Sequence, residues 1–156
     1  MAIEKVREYL KQFDAESKIQ EFSVSSATVE LAAEALGCEP QRIAKTMSFK
    51  MGDSAILIVC AGDVKVDNSK FKSQFGTKAV MLKAPEVEPL TGHAVGGVCP
   101  FAVNDGVIVY LDESLKRFTT VFPAAGSANS AVELTLSELE KYSQFKEWVD
   151  VTKPRE

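Results

Sequence analysis

Apolar positions in the first forty residues repeat with a helical period. Ile3, Val6, Leu10 and Phe13 share one helix face, and Val29, Ala32, Ala33 and Leu36 recur at i, i+3, i+4 and i+7. Ser26 is placed to cap the second of these helices and Gly37 to end it. Glu39-Pro40 predicts a short helical turn leading into Lys45. The pattern then changes. Thr46 to Lys50 and Ser54 to Ala61 read as strands joined by a hairpin at Met51-Gly52-Asp53. Asp67 opens a third helix, which runs through Phe71 and Phe75 to Gly76. Ala79 to Leu82 reads as a short strand, and Pro85 starts a short helix that Gly92 ends. Val107 to Leu111 and Phe118 to Phe122 read as buried strands, and Ala131 to Leu134 as the last one. That strand runs into Thr135-x-x-Glu138, a capping box with Leu134 and Leu139 as its hydrophobic staple. The final helix continues through Tyr142, and the tail from Asp150 reads as polar.

This order mixes helices, hairpins and isolated strands without regular βαβ alternation, which excludes a doubly wound sheet. The predicted class is α/β in the α+β sense: a mixed, mostly antiparallel, curved and barrel-like sheet flanked by helices. The 156 residues have the length of one domain, and no linker divides them, so a single domain over 1–156 is expected. With 46% hydrophobic residues the chain is not intrinsically disordered. The longest apolar run, Ala55 to Ala61, is too short to span a bilayer. The opening Met1-Ala2-Ile3-Glu4 lacks the basic region and apolar run of a signal peptide. Cys38, Cys60 and Cys99 are odd in number and widely spaced, unlike a disulfide framework or a zinc knuckle. The expectation is a cytoplasmic protein with reduced thiols, no membrane partner, no metal and no cofactor.

Charge alters this picture in one place. The 18 basic and 22 acidic residues give a net charge of −4, which argues against a DNA-wrapping protein. Yet Lys65, Lys70, Lys72, Lys78 and Lys83 stand within a stretch whose one acid is Asp67, so that stretch carries +4 and the remainder −8. It is either a local nucleic-acid patch or a solvated helix face.

Few residues could carry chemistry. His93 is the one histidine, so any Ser-His-Asp or Cys-His arrangement would have to use it. Cys99 lies in a glycine-rich loop, either as a nucleophile or as a soft residue packed beneath it. Lys45 falls where a helical turn meets a strand, and its stem can lie on the core with its ammonium in a cleft. In Gly96-Gly97-Val98-Cys99-Pro100 the glycines let backbone N–H groups approach a ligand, and such groups could hold an oxyanion during acyl transfer. A structural turn explains the same residues.

Taken together, Lys45 in Arg42-Ile43-Ala44-Lys45-Thr46, the GxxxP pattern of Gly96 to Pro100 and the late small-residue loop at Gly126-Ser127 resemble the YbaK/ProX family. These proteins are free-standing relatives of the editing domain of bacterial prolyl-tRNA synthetases. The resemblance spans roughly residues 20 to 140. It implies a curved α/β domain that hydrolyses the ester of mischarged tRNA, typically tRNA for proline, without a metal. By the resemblance, Gly96 and Gly97 hold the oxyanion and Lys45 anchors the aminoacyl end or the terminal phosphate. Thr46, Val98, Cys99, Pro100, Gly126, Ser127 and Asn129 would line the substrate, and Lys65, Lys70 and Lys72 would meet the tRNA. A synthetase is a further implied partner. An aminoacyl ester is already activated, so positioned water or a substrate group suffices as nucleophile.

The chain departs from two patterns in the family. Thr46 stands where alanine-removing relatives often carry asparagine, and no histidine follows His93. The late loop reads Gly126-Ser127-Ala128-Asn129 where cysteine-removing relatives have two basic residues between glycines, and Ala131 stands where they have an acid. The amino acid removed is therefore open. Three functions remain: a trans-acting aminoacyl-tRNA deacylase, a non-catalytic module that binds aminoacyl-tRNA or a synthetase, and a thiol-dependent hydrolase using Cys99.

Overall fold

The computed structural model describes residues 2–155; Met1 of the opening stretch and Glu156 at the end of the 1–156 span lie outside the described residues. Its centre is the hairpin of β2 (Ile43–Met51) and β3 (Ser54–Ala61). β3 is buried along nearly its whole length, which is why it reads as a continuous apolar run. β3 also pairs in parallel with β5 (Ile108–Asp112), and β5 with β9 (Trp148–Val149). On the other side, β2 pairs in parallel with β6 (Thr120–Pro123), which pairs antiparallel with β8 (Leu134–Thr135). The six-stranded order is β8-β6-β2-β3-β5-β9. Two small antiparallel ladders complete the sheet structure: β1 (Ile19–Glu21) with β7 (Ser130–Val132), and β4 (Val64–Val66) with β10 (Thr152–Pro154). The sheet is a curled half-barrel of mixed direction flanked by helices. Antiparallel pairing dominates through the long hairpin, while three of the five neighbour pairs in the six-stranded sheet are parallel.

One face of the hairpin packs on α1 (Ala2–Lys11), through Val6 and Leu10, and on Phe101, Leu111 and Val121. The opposite face packs on α3 (Asn68–Phe75), where Phe49, Phe71, Phe75 and Tyr110 form a chain of aromatic contacts. Asp67 caps α3 by accepting from the Lys70 N–H, and Thr135 and Glu138 form the reciprocal box at the start of α5 (Leu136–Ser143).

Three local expectations are corrected. The cap of α2 (Val29–Leu36) is Thr28, whose hydroxyl accepts from Leu31 N–H. Ser26 is instead drawn toward residue 128, its own N–H donating to the Ala128 carbonyl at 2.6 Å. Residues 79–82 are not a strand but a single bridge, Met81 to Phe49, ahead of α4 (Ala84–Thr91). The tail from Asp150 is not a loose polar end. Val151 is fully buried, and the buried Asp112 carboxylate accepts from its N–H at 2.9 Å and from the Thr152 hydroxyl at 2.7 Å. A carboxylate in the core needs such donors, so the tail is fixed by long-range bonds that leave no local signal. Four strands were not announced by the sequence, β1, β4, β9 and β10, and of these the β4–β10 ladder adjoins the Asp112 anchor.

The cap assignment is directly testable. Thr28→Ala is expected to cost about 1 kcal/mol in urea unfolding, and Ser26→Ala to stay within about 0.5 kcal/mol. Equal losses would return the cap to Ser26.

Candidate active site

The site begins with hydrogen-bond parity along β2. The two-residue turn Gly52-Asp53 makes Met51 and Ser54 the pair that closes the hairpin. Bonding to β3 then alternates, so Ala44, Thr46, Ser48 and Lys50 turn their backbone groups away from β3. The outer edge of β2 is covered at both ends. Ile43 and Ala44 meet β6. Farther along, Lys50 N–H donates to the Val80 carbonyl at 2.8 Å and Leu82 N–H to the Ser48 carbonyl at 3.2 Å. Between these contacts, among the described residues, the N–H and C=O of Thr46 meet no protein backbone partner.

A cleft of about 430 Å³ lies over this gap, a volume within the range of small-ligand sites. β2 lines it from Ile43 to Ser48, with the 26–29 segment, Ala124, Ser130 and Ala131 on one side and Met81, Leu82 and Val87 on the other. Val95, Gly96 and Val98 close it from the glycine-rich loop. Among the described residues Lys45 is the one charged side chain on this lining; no carboxylate or imidazole stands there to act as general base. No group of three or more His, Cys, Asp or Glu among the described residues could hold a metal ion.

Lys45 is half-buried and faces Cys60 across the ladder, on the face opposite Thr46. Its ammonium donates to the Val64 carbonyl, and burial pushes its pKa below the ordinary lysine range. Gly96 has φ +90°, and a Cβ there would touch Ala27 and Ala128, so the loop meets the 26–29 and 126–129 segments at this point. Gly97 serves a different purpose. A Cβ on it would stand 2.8 Å from the backbone of Ser127, and its N–H already donates to the Ala94 carbonyl at 3.0 Å. It is therefore a packing glycine whose donor is occupied. The N–H groups of Gly96 and Val98 have no protein acceptor among the described residues.

Cys99 and Pro100 lie buried beneath the loop. The Cys99 thiol is 3.6 Å from His93 Nε2, but burial pushes its pKa up to about 12 and no part of it reaches solvent. Such a thiol is not a nucleophile. The late loop supports the wall from behind. Ser127 Oγ donates to Ser130 Oγ at 2.7 Å, and Asn129 Nδ2 donates to the Phe22 carbonyl at 2.9 Å, so these polar groups are used within the protein. Lys70 is held by Asp150 at 3.0 Å and the Thr152 carbonyl at 2.9 Å. Lys65 and Lys72 are exposed, and Lys65 faces Lys153 across the β4–β10 ladder. The structure thus brings Lys45, Thr46, Gly96 and Val98 to one cleft and sets Gly97, Cys99, Pro100, Gly126, Ser127 and Asn129 behind it. Sequence reasoning missed Thr28, Met81, Val95 and Ser130 as lining residues, because only tertiary pairing brings them there.

Comparison with known proteins gives the class. Residues 24–142 match the model of the aminoacyl-tRNA editing domain, and the chain belongs to that family. It is 54% identical over 154 residues to the uncharacterized protein YwhH of Bacillus subtilis (strain 168), covering 98% of each. It is 28% identical over 112 residues to proline–tRNA ligase of Bacillus cytotoxicus, covering 70% of this chain and 20% of that enzyme. A crystal structure of a protein provisionally described as a trans-editing enzyme for prolyl tRNA synthetase superposes with a TM-score of 0.87 at 28% identity, covering 97% of each chain. Family and neighbour together support an aminoacyl-tRNA deacylase role. No helix among the described residues is long and apolar enough to cross a membrane.

Two measurements probe this geometry. Gly97→Ala must push the Ser127 backbone away and is expected to lower stability by about 1–3 kcal/mol in urea unfolding; an unchanged midpoint would show that the two loops part freely. In the folded protein at about pH 8, Ellman's reagent is expected to reach only Cys38, with Cys60 and Cys99 reacting after denaturation. A fast native thiol mapped to Cys99 would restore it as a nucleophile.

Proposed function

We propose that the chain, as a single editing domain, hydrolyses in trans the ester of mischarged tRNA, with a small amino acid such as cysteine or alanine on tRNA for proline as substrate. The observation that carries this reading is the open stretch of the β2 edge at Thr46, in a cleft without a general base that is also lined by Gly96 and Val98, whose N–H groups have no protein acceptor among the described residues. An aminoacyl ester suits such a site. It needs orientation and a place for the developing oxyanion more than it needs a strong nucleophile.

In this reading the Gly96 and Val98 N–H groups hold the oxyanion. Thr46 offers its backbone to the amino acid, and Lys45 supplies the positive charge beside it. Gly97, Cys99, Pro100, Gly126, Ser127 and Asn129 keep the walls in register. The nucleotide lies outward, with exposed Lys65 and Lys72 available to tRNA phosphates and Lys70 reserved for Asp150. The setting is the cytoplasm, beside prolyl-tRNA synthetase, whose pocket excludes a smaller amino acid by only about 1–3 kcal/mol per methylene.

The test is release of amino acid from tRNA for proline charged with cysteine, alanine or serine, and from a panel of other mischarged tRNAs. Release above the uncatalysed rate is expected. Lys45→Ala is expected to lower kcat/KM by about tenfold or more, the scale of one lost charge-assisted contact. No release from any member of the panel would overturn the reading; tight binding of a non-hydrolysable aminoacyl-adenosine without turnover would assign the cleft to a binding module.

A further inference from the structure

His93 is fully buried, lies outside the cleft lining and has no part in the chemistry above. Its position is nonetheless specific. Residues 93–101 form a loop that leaves the end of α4 and carries Gly96 and Val98 over the cleft. At one end His93 N–H donates to the Thr91 hydroxyl at 3.2 Å, and Thr91, also fully buried, donates to the Val87 carbonyl at 2.7 Å. At the other end the His93 Nε2 lies 2.7 Å from the Phe101 carbonyl oxygen. A carbonyl only accepts, so Nε2 carries a proton, while Nδ1 is buried with no hydrogen-bond partner among the described residues. The same oxygen has Cys99 Sγ at 3.7 Å, a weak donor. His93 thus joins the two ends of the loop, its backbone N–H holding to Thr91 at the end of α4 and its imidazole to Phe101.

We propose that His93 is a positioning residue for the reaction: its neutral imidazole clamps the 93–101 loop shut through the Phe101 carbonyl, and so fixes where the Gly96 and Val98 N–H groups stand. The proposal rests on the deacylase reading for its catalytic consequence, but the clamp itself does not. Donors aimed at a developing oxyanion act in the transition state, so a slackened loop lowers kcat more than it raises KM. Burial lowers the His93 pKa, in keeping with the neutral form.

The experiment compares His93→Leu, which keeps bulk and removes the donor, with His93→Gln, whose amide nitrogen reaches about as far as Nε2. For His93→Leu, kcat is expected to fall about tenfold or more with KM within about twofold, and His93→Gln to return to within about threefold of the parent protein. Amide hydrogen exchange at Gly96, Val98 and Cys99 is measured on the same proteins; faster exchange is expected in His93→Leu and parent-like exchange in His93→Gln. A folded His93→Leu with unchanged kcat and unchanged exchange would overturn the proposal, and so would a His93→Gln that fails to rescue. Should His93→Leu not fold, His93→Asn takes its place, because its amide is too short to reach Phe101. If the parent protein releases no amino acid from any tRNA, the deacylase reading fails, and the exchange data alone decide the clamp.

Discussion

The site depends on backbone hydrogen-bond parity along one strand edge. β2 pairs with β3 from Ala44 to Met51, which commits alternate residues to β3 and turns the others outward. β6 covers the outward groups at Ala44, and the 80–82 segment covers them at Ser48 and Lys50. Neither reaches Thr46. An unpaired edge normally invites another strand; here the flanking segments enclose it, and a cleft results in place of a sticky edge.

The glycine-rich loop is held above that gap from two sides. Behind it, Gly97 lets the backbone of Ser127 approach, and a side chain at Gly97 would drive the two loops apart. Beneath it, the fully buried His93 and Cys99 both contact the Phe101 carbonyl. Two residues that look reactive on paper, a histidine and a cysteine in contact, are thereby kept neutral and out of reach. The cleft is left with apolar walls, backbone amides and one charged residue, Lys45, whose ammonium is held by the Val64 carbonyl. That composition suits a substrate that brings its own reactivity and needs to be held.

Charge is distributed with similar economy. Lys70 belongs to the lysine-rich stretch, yet its ammonium is tied to Asp150 and the Thr152 carbonyl and serves to fasten the tail. Arg117 and Asp63 form another surface pair, with Asp63 held below the ordinary carboxylate range by the guanidinium. Lys65, Lys72, Lys78 and Lys83 of that stretch remain exposed, with Lys153 opposite Lys65, consistent with a partner gripped at one end in a protein that is acidic overall.

Much of the local structure was legible from residue order alone. The helical faces of α1 and α2, the β2–β3 hairpin, the Asp67 and Thr135 caps and the glycine-rich loop are set by periodicity, turn chemistry and capping, which act within a few residues. The family resemblance was legible too, because it rests on the order of Lys45, the GxxxP stretch and the late loop. The choice between neighbouring hydroxyls as the cap of α2 was not, since Ser26 is diverted by a contact with Ala128, far along the chain. Nor were β1, β4, β9, β10 and the folded tail, which the buried Asp112 anchors. The division of labour among the loop residues also belonged to the tertiary structure. Sequence put Gly96, Gly97, Cys99 and Pro100 in one motif; packing made Gly96 a cleft residue, Gly97 a contact and Cys99 a floor. The physical reason is that a turn or a cap is a local free-energy preference, whereas the burial of a thiol, the occupation of an N–H and the gap in a strand's edge depend on which distant segments arrive beside it.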